Sequence, residues 1–372
     1  MRKRWFLTLV LIFGLGRELN LLAQKDKGLI TTEQIIQSRY HKFSDTTQRK
    51  IEKFFDYHQR IGNFNGTYLM FSNDSIIYGS RGYSIYSNLD SVEPGDLFQL
   101  ASVSKIFTAI SVMMLHQDGY LNIDDSVHWY IPELENKGIT IRQLLSHTSG
   151  LPDYFYVDYP KGFFQEGQTH MTNEQVVEVI NLQSKRKYTK QGFYHYCNTN
   201  YAFLSLIVER LSHKDFRTFV KDHVCKSAEM KYSHIANFDS LPLINYPVQG
   251  YNKWSVFDDN IFNGTTGDKG VYSNVFEMFM LDRALKSSYI LHEATKQEMW
   301  TPQTVTSADG YYALGWRVKY IDGKKWVFHN GWWKGFRTYF WRCLEDDKSF
   351  VVLTNNVDGR FLSTLQMVHL LD

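Results

Sequence analysis

The sequence predicts an α+β fold: an antiparallel sheet built from both termini and flanked by helices, with an all-α lobe inserted between the two halves. Three patterns predict it. Residues 67–72 and 75–80 flank Asn73-Asp74 and read as an antiparallel hairpin. Residues 312–320, 325–329, 336–341 and 350–354 again have strand character, while residues 119–240 are mostly helical in their spacing.

Met1-Arg2-Lys3-Arg4 precedes an apolar run at 5–16, and Leu21-Leu22-Ala23-Gln24 offers a small residue before a cut. This is the pattern of a secretory signal peptide over 1–23. An apolar run ended by Arg17 and Glu18 is short for a bilayer span, so the expectation is a periplasmic or secreted protein with no stable membrane span after cleavage. The domain then covers 24–372, with an α/β lobe at about 24–118 and 241–372 and an α lobe at about 119–240.

Thr31 and Gln34 suit a capping box, and a second helix from about Thr46 places Ile51, Phe54, Phe55 and His58 on one face. A helix opening at Ser102 carries Ile106, Ala109, Ile110 and Met113 and stops at Asp118-Gly119. Residues 140–145 lead into a turn-rich stretch at 146–154. Further helices start at Thr172 and after Asn198, and a last one spans 362–371.

With 372 residues, 43% hydrophobic and 16% aromatic, the chain has material for a large core. A net charge of +2 without a long basic run argues against a nucleic-acid partner. Cys197, Cys225 and Cys343 allow at most one disulfide. No cofactor and no metal is expected: the cysteines lack paired ligand spacing, and His292-Glu293-Ala294-Thr295-Lys296 lacks a second histidine.

The chemistry concentrates at three places. Ser102 and Lys105 stack at i and i+3 on the helix face, beside free N–H groups and the positive end of the helix dipole, which suits a nucleophile that generates an oxyanion. A second Ser-x-x-Lys, Ser184 to Lys187, lies in a polar run and reads as a solvated loop. In Tyr196-Cys197-Asn198 a phenol for proton exchange and a carboxamide for a substrate carbonyl stand two residues apart, although Tyr-x-Asn recurs at 86–88 and 272–274. His329-Asn330-Gly331 ends a predicted strand, where a backbone N–H can serve as a second oxyanion donor and glycine permits close approach. Taken singly, Tyr196 and His329 also fit side chains packed with their polar atoms satisfied.

In order, these segments resemble the serine β-lactamase-like superfamily: class C β-lactamases, DD-peptidases and their esterase relatives. The resemblance covers about residues 60–360, and Leu144-Leu145-Ser146-His147-Thr148-Ser149-Gly150-Leu151-Pro152 is its most telling support. It implies an acyl-enzyme on Ser102, proton work shared by Lys105 and Tyr196, and an oxyanion between the N–H groups of Ser102 and Trp332. Asn198, His329, Gly331 and Trp332 would bind substrate. Which of Lys105 and Tyr196 is the base stays open.

Three departures refine this. Cysteine replaces serine or alanine inside Tyr-x-Asn. Histidine stands where class C β-lactamases carry Lys-Thr-Gly and would hold a carboxylate less firmly, which points away from efficient β-lactam hydrolysis. Trp332-Trp333 replaces small residues and would crowd the acyl side of the cleft. With Tyr154, Phe155, Tyr156, Tyr159, Phe163 and Phe164 it suggests an aromatic wall, unless those rings pack the α lobe. The expectation is an exported serine hydrolase for a small-molecule or peptide substrate, cell-wall derived, of D-alanyl peptidase or esterase type. The alternative is a non-turnover penicillin-binding-like sensor or wall-binding module.

Overall fold

The computed structural model describes residues 31–184, 188–238, 248–357 and 359–372. The signal peptide expected at 1–23 and Lys187 of the second Ser-x-x-Lys lie outside the described residues. The chain divides into two units at the Tyr40–His41 junction. In the first, Thr31 and Gln34 form the expected capping box on the helix Thr32–Arg39.

The second unit is organised by a sheet of β1 (His41–Lys42), β2 (Gly66–Ser72), β3 (Ser75–Arg81), β4 (Thr304–Ser307), β5 (Gly310–Tyr312), β6 (Arg317–Ile321), β7 (Lys324–Trp333), β8 (Phe336–Cys343) and β9 (Lys348–Thr354). Their spatial order is β1-β3-β2-β9-β8-β7-β6-β5-β4. The two ends of the chain meet where β9 pairs β2, Leu69 opposite Val351. All of these pairings are antiparallel except the short parallel edge between β1 and β3.

Two strand expectations change. The run 312–320 is broken, because the Ala313 N–H bonds the Trp316 carbonyl and Gly315 turns the chain at φ +84. The strand expected at 325–329 continues to Trp333, carried by its pairing with β8.

The helices that pack this sheet and its insertion are α1 (Asp45–Arg60), α2 (Ser104–Gln117), α3 (Ile141–Leu145), α4 (Asn173–Asn181), α5 (Asn198–Ser212), α6 (Val275–Lys286), α7 (Glu293–Trp300) and α8 (Thr364–His369). Ile51 and Phe55 of α1 and Met367 and Val368 of α8 cover one face together with Tyr68, Trp341 and Phe350. Phe55 stacks flat on Tyr68 at 3.7 Å, burying two large rings at once. On the other face α6 lies against β2 and β9, and α5 packs on α2, α3 and α4.

The short strand Phe98–Gln99 feeds a 3₁₀ turn, Ala101–Val103, which continues directly as α2. That turn rests on β7 and β8. It carries Ser102 and begins with Ala101 at φ +49, a left-handed conformation that costs an alanine about 1–2 kcal/mol and is held by full burial. The fold thus presses a strained turn, carrying a serine, against β7 and β8.

Candidate active site

Because α2 grows out of the turn, Ser102 and Lys105 sit on one face, one turn apart. Lys105 Nζ donates to Ser102 Oγ (3.2 Å), Asn198 Oδ1 (2.8 Å) and the Asp268 carbonyl (2.8 Å), which uses its three protons. The side chain is fully buried, and burial pulls its pKa down to about 8 against the opposing pull of Asp268 and Asp153.

Tyr196 closes the group. Its phenol lies near enough to the Ser102 hydroxyl to feel it, and its ring centroid lies 5.0 Å from Lys105 Nζ. Burial drives its pKa well above the usual phenol value, while the neighbouring Ser102 hydroxyl and Arg317 oppose the shift. Near neutral pH the amine therefore gives up a proton more readily than the phenol.

The run Ser146–Tyr154 explains how Tyr196 reaches Ser102. His147 Nδ1 accepts the Cys197 N–H at 3.2 Å and the Asn200 amide at 3.1 Å, and Ser149 Oγ donates to Asn200 Oδ1 at 2.6 Å. Asp153 Oδ2 accepts both the Asn198 N–H and its Nδ2, each at 2.8 Å, and Thr199 Oγ1 donates to the Pro152 carbonyl. Gly150, at φ +75, allows the bend, since a Cβ there would lie 2.7 Å from the Thr189 carbonyl. Two segments about 50 residues apart in sequence are clamped residue by residue.

Asn198 is accordingly held between Lys105 and Asp153, which leaves one amide proton for any other partner. His329 is buried, 1% exposed. Its Nδ1 contacts the Asn330 carbonyl at 2.7 Å, which makes Nδ1 the protonated nitrogen, and Nε2 then accepts from Tyr312 Oη at 3.1 Å. Desolvation, Arg317 and Lys105 push its pKa well below the usual histidine value. The expectation that His329 faces a substrate carboxylate is corrected: both ring nitrogens are engaged inside the protein, and the ring is neutral.

Gly331 sits where β7 meets the Ser102 turn. A Cβ there would fall 2.3 Å from Thr338 Oγ1 and 2.4 Å from the Leu100 carbonyl. Just beyond, Lys334 and Gly335, both at positive φ, join the paired residues Trp333 and Phe336. Such a two-residue hairpin makes Trp333–Phe336 the hydrogen-bonded pair and Trp332–Arg337 the open one, so the Trp332 N–H points away from β8. It points to the side that β6 leaves uncovered, because β6 pairs β7 only as far as Phe328.

The Trp332 side chain corrects the aromatic-wall expectation. Strand alternation sends it to the opposite face from Gly331, where it is 64% exposed. Trp333 is the ring that turns inward. It stacks on Phe155 at 4.9 Å and donates Nε1 to Asn263 Oδ1 at 2.9 Å, with Phe262 edge-on to Phe155. Tyr154 is buried, Tyr156 is exposed, and Tyr159 packs on Phe163 and Phe164.

Three charged residues at the site escaped sequence reasoning. The Arg317 guanidinium lies 5.5 Å from the Tyr196 ring and 5.7 Å from that of Tyr312, partly exposed. Asp268 and Lys269, both buried, form an ion pair at 3.3 Å behind Lys105. The three cysteines are free.

The fold places this chain in the serine β-lactamase/DD-peptidase superfamily, a superfamily of serine hydrolases. The chain belongs to the Beta-lactamase family, whose model matches residues 51–366. It is similar to penicillin-binding protein 4* of Bacillus subtilis (strain 168), 29% identical over 312 residues that make up 78% of this chain and 68% of that protein. It is also similar to protein flp of Staphylococcus aureus (strain MW2), 22% identical over 84% of this chain and 64% of that protein. The chain thus spans about two thirds of the length of these relatives. Among solved structures, a penicillin-binding protein from Bacillus halodurans matches with TM-score 0.71 and 26% identity over 82% of this chain and 95% of that one. The D-amino acid amidase from Ochrobactrum anthropi SV3 shares the fold, with TM-score 0.73 and 20% identity over 88% and 97% of the two chains.

Proposed function

We propose that this chain is an exported serine hydrolase that cleaves an ester or peptide bond through an acyl-enzyme on Ser102, acting on D-alanyl-type amides or esters in preference to β-lactams. The observation that carries this is Lys105 Nζ, buried and 3.2 Å from Ser102 Oγ, with the Tyr196 ring 5.0 Å from the same amine. Lys105 in its neutral form takes the Ser102 proton as Oγ bonds the carbonyl carbon. The oxyanion forms between the N–H groups of Ser102 and Trp332. Tyr196, still protonated, supplies a proton to the departing group and regains one from the Lys105 ammonium; a water that gives a proton to neutral Lys105 then attacks the acyl carbon, and Ser102 Oγ leaves with that proton as the acyl chain is released.

The substrate preference follows from where charge sits. His329 is neutral and internally bonded, so Arg317 is the cation beside Tyr196 and holds a carboxylate on the leaving group. Phe155, Trp333 and Phe262 form an apolar wall for the acyl side chain. In the proposed lobe division, 24–118 with 241–372 against 119–240, Ser102, Lys105, Arg317 and Gly331 belong to one lobe and Tyr196 and Asn198 to the other. The signal-like pattern at 1–23 and the penicillin-binding relatives support export. The non-turnover alternative rested on Trp332 crowding the oxyanion, and that side chain faces away.

A substrate panel tests the proposal. A p-nitrophenyl ester and a D-alanyl peptide are expected to turn over steadily, and nitrocefin weakly or not at all. Arg317→Ala is expected to raise KM about tenfold for the peptide with a free carboxylate and to leave the neutral ester nearly unchanged. Vigorous nitrocefin hydrolysis, or a single acylation that never releases product, contradicts the reading.

A further inference from the structure

Asp268 and Lys269 belong to no motif singled out in the sequence, yet they lie directly behind the proposed base. Lys269 is 4% exposed. Its Nζ donates to Tyr154 Oη (2.8 Å) and Thr265 Oγ1 (2.5 Å) and pairs with the Asp268 carboxylate (3.3 Å). The rings of Tyr154, Phe155 and Trp333 surround it at 5.2–5.5 Å. Its three protons therefore have three acceptors, so it has none for a substrate. The segment is also tied to α2, because Thr108 Oγ1 donates to the Gly267 carbonyl at 2.6 Å and Lys105 Nζ to that of Asp268 at 2.8 Å.

We propose that the buried Asp268–Lys269 pair is a positioning device for Lys105: its backbone fixes the amine against Ser102, and its balanced charges keep Lys105 free to be neutral. The inference rests on the assignment of Lys105 as base. The groups that face Lys105 are two anions, Asp268 and Asp153, and two cations, Arg317 and Lys269, the latter itself drawn down to about 8 by burial against the pull of Asp268. The rest are neutral: Cys197, the Tyr196 and Tyr201 rings, His147 and His329. With Lys105 uncharged and Lys269 protonated on its Asp268 partner, the two anions and two cations cancel. Removing the Lys269 charge leaves a surplus carboxylate that a protonated Lys105 would neutralise. Removing the Asp268 charge leaves a surplus cation that disfavours it.

The test is the pH dependence of kcat/KM on a neutral p-nitrophenyl ester. Lys269→Met is expected to move the acid limb up by about one pH unit, and Asp268→Asn to move it down by about one unit. Asp268→Asn combined with Lys269→Met is expected to return it close to wild type, and Lys269→Arg to stay there. Because the double variant restores neutrality, it keeps the test open if Lys269→Met fails to fold. In that case a double-variant limb displaced by a full unit, or an Asp268→Asn limb that does not move down, overturns the inference. So do single variants that fold but leave the limb in place or move it the same way. Fluorophosphonate labelling at pH 9 separates the two levels. A wild type that is not labelled at Ser102, or a Lys105→Met variant labelled as fast as wild type, sinks the underlying assignment, whereas a labelled wild type and a slow Lys105→Met variant with an unmoved limb in the Asp268 and Lys269 variants sink this inference alone.

Discussion

Lys105→Met is expected to lower kcat/KM on an ester substrate by about 10³–10⁴-fold while the protein still folds. Methionine fills nearly the same buried volume but neither accepts the Ser102 proton nor holds Asn198 and the Asp268 carbonyl. Lys105→Arg separates charge from basicity, because a guanidinium stays protonated throughout the working range and is expected to be equally inactive. The wild-type profile carries the same signature. The pKa of Lys105 is lowered to about 8, and the neutral amine is the active form. Activity therefore rises as pH climbs through about 8 and falls away below it. A flat profile from pH 6 to 9, or an active Lys105→Arg variant, speaks against Lys105 as base.

Gly331→Ala is expected to cost about 10²–10³ in kcat with a small change in KM, the size of losing one oxyanion donor. The added Cβ falls 2.3 Å from Thr338 Oγ1 and 2.4 Å from the Leu100 carbonyl, a carbonyl that Thr338 Oγ1 already holds at 2.6 Å. Either β7 moves outward or the Ala101–Val103 turn shifts. Both separate the N–H of Ser102 from that of Trp332. Steady-state kinetics on the same ester, with thermal melting to confirm the fold, measure it. A variant with full kcat means the two N–H groups do not act together.

The legible parts of this site are the local ones. Ser102 and Lys105 could be read together because a helix converts a spacing of three into proximity. The hairpin at the N-terminal side of the sheet was legible for the same reason, strand alternation around a two-residue turn. Tyr196 and Asn198 were reachable through the family pattern, and the clamp from Ser146–Tyr154 shows why both segments travel together. What the sequence hid depends on register and packing. Trp332 and Trp333 are adjacent letters, and only the Lys334-Gly335 turn decides which one enters the crevice. His329 is satisfied by Tyr312, a contact made across the break at Gly315 that turned one expected strand into two. Arg317, Asp268 and Lys269 have no periodic signature, because their roles arise from charge balance among residues far apart in sequence.

The most direct measurement is intact-protein mass after treatment with a fluorophosphonate, for wild type and for Ser102→Ala, followed by peptide mapping. One adduct on the wild type, located at Ser102, and none on the variant is the predicted result. Equal labelling of both proteins, or a wild-type adduct on a different residue, contradicts the assignment of Ser102 as nucleophile.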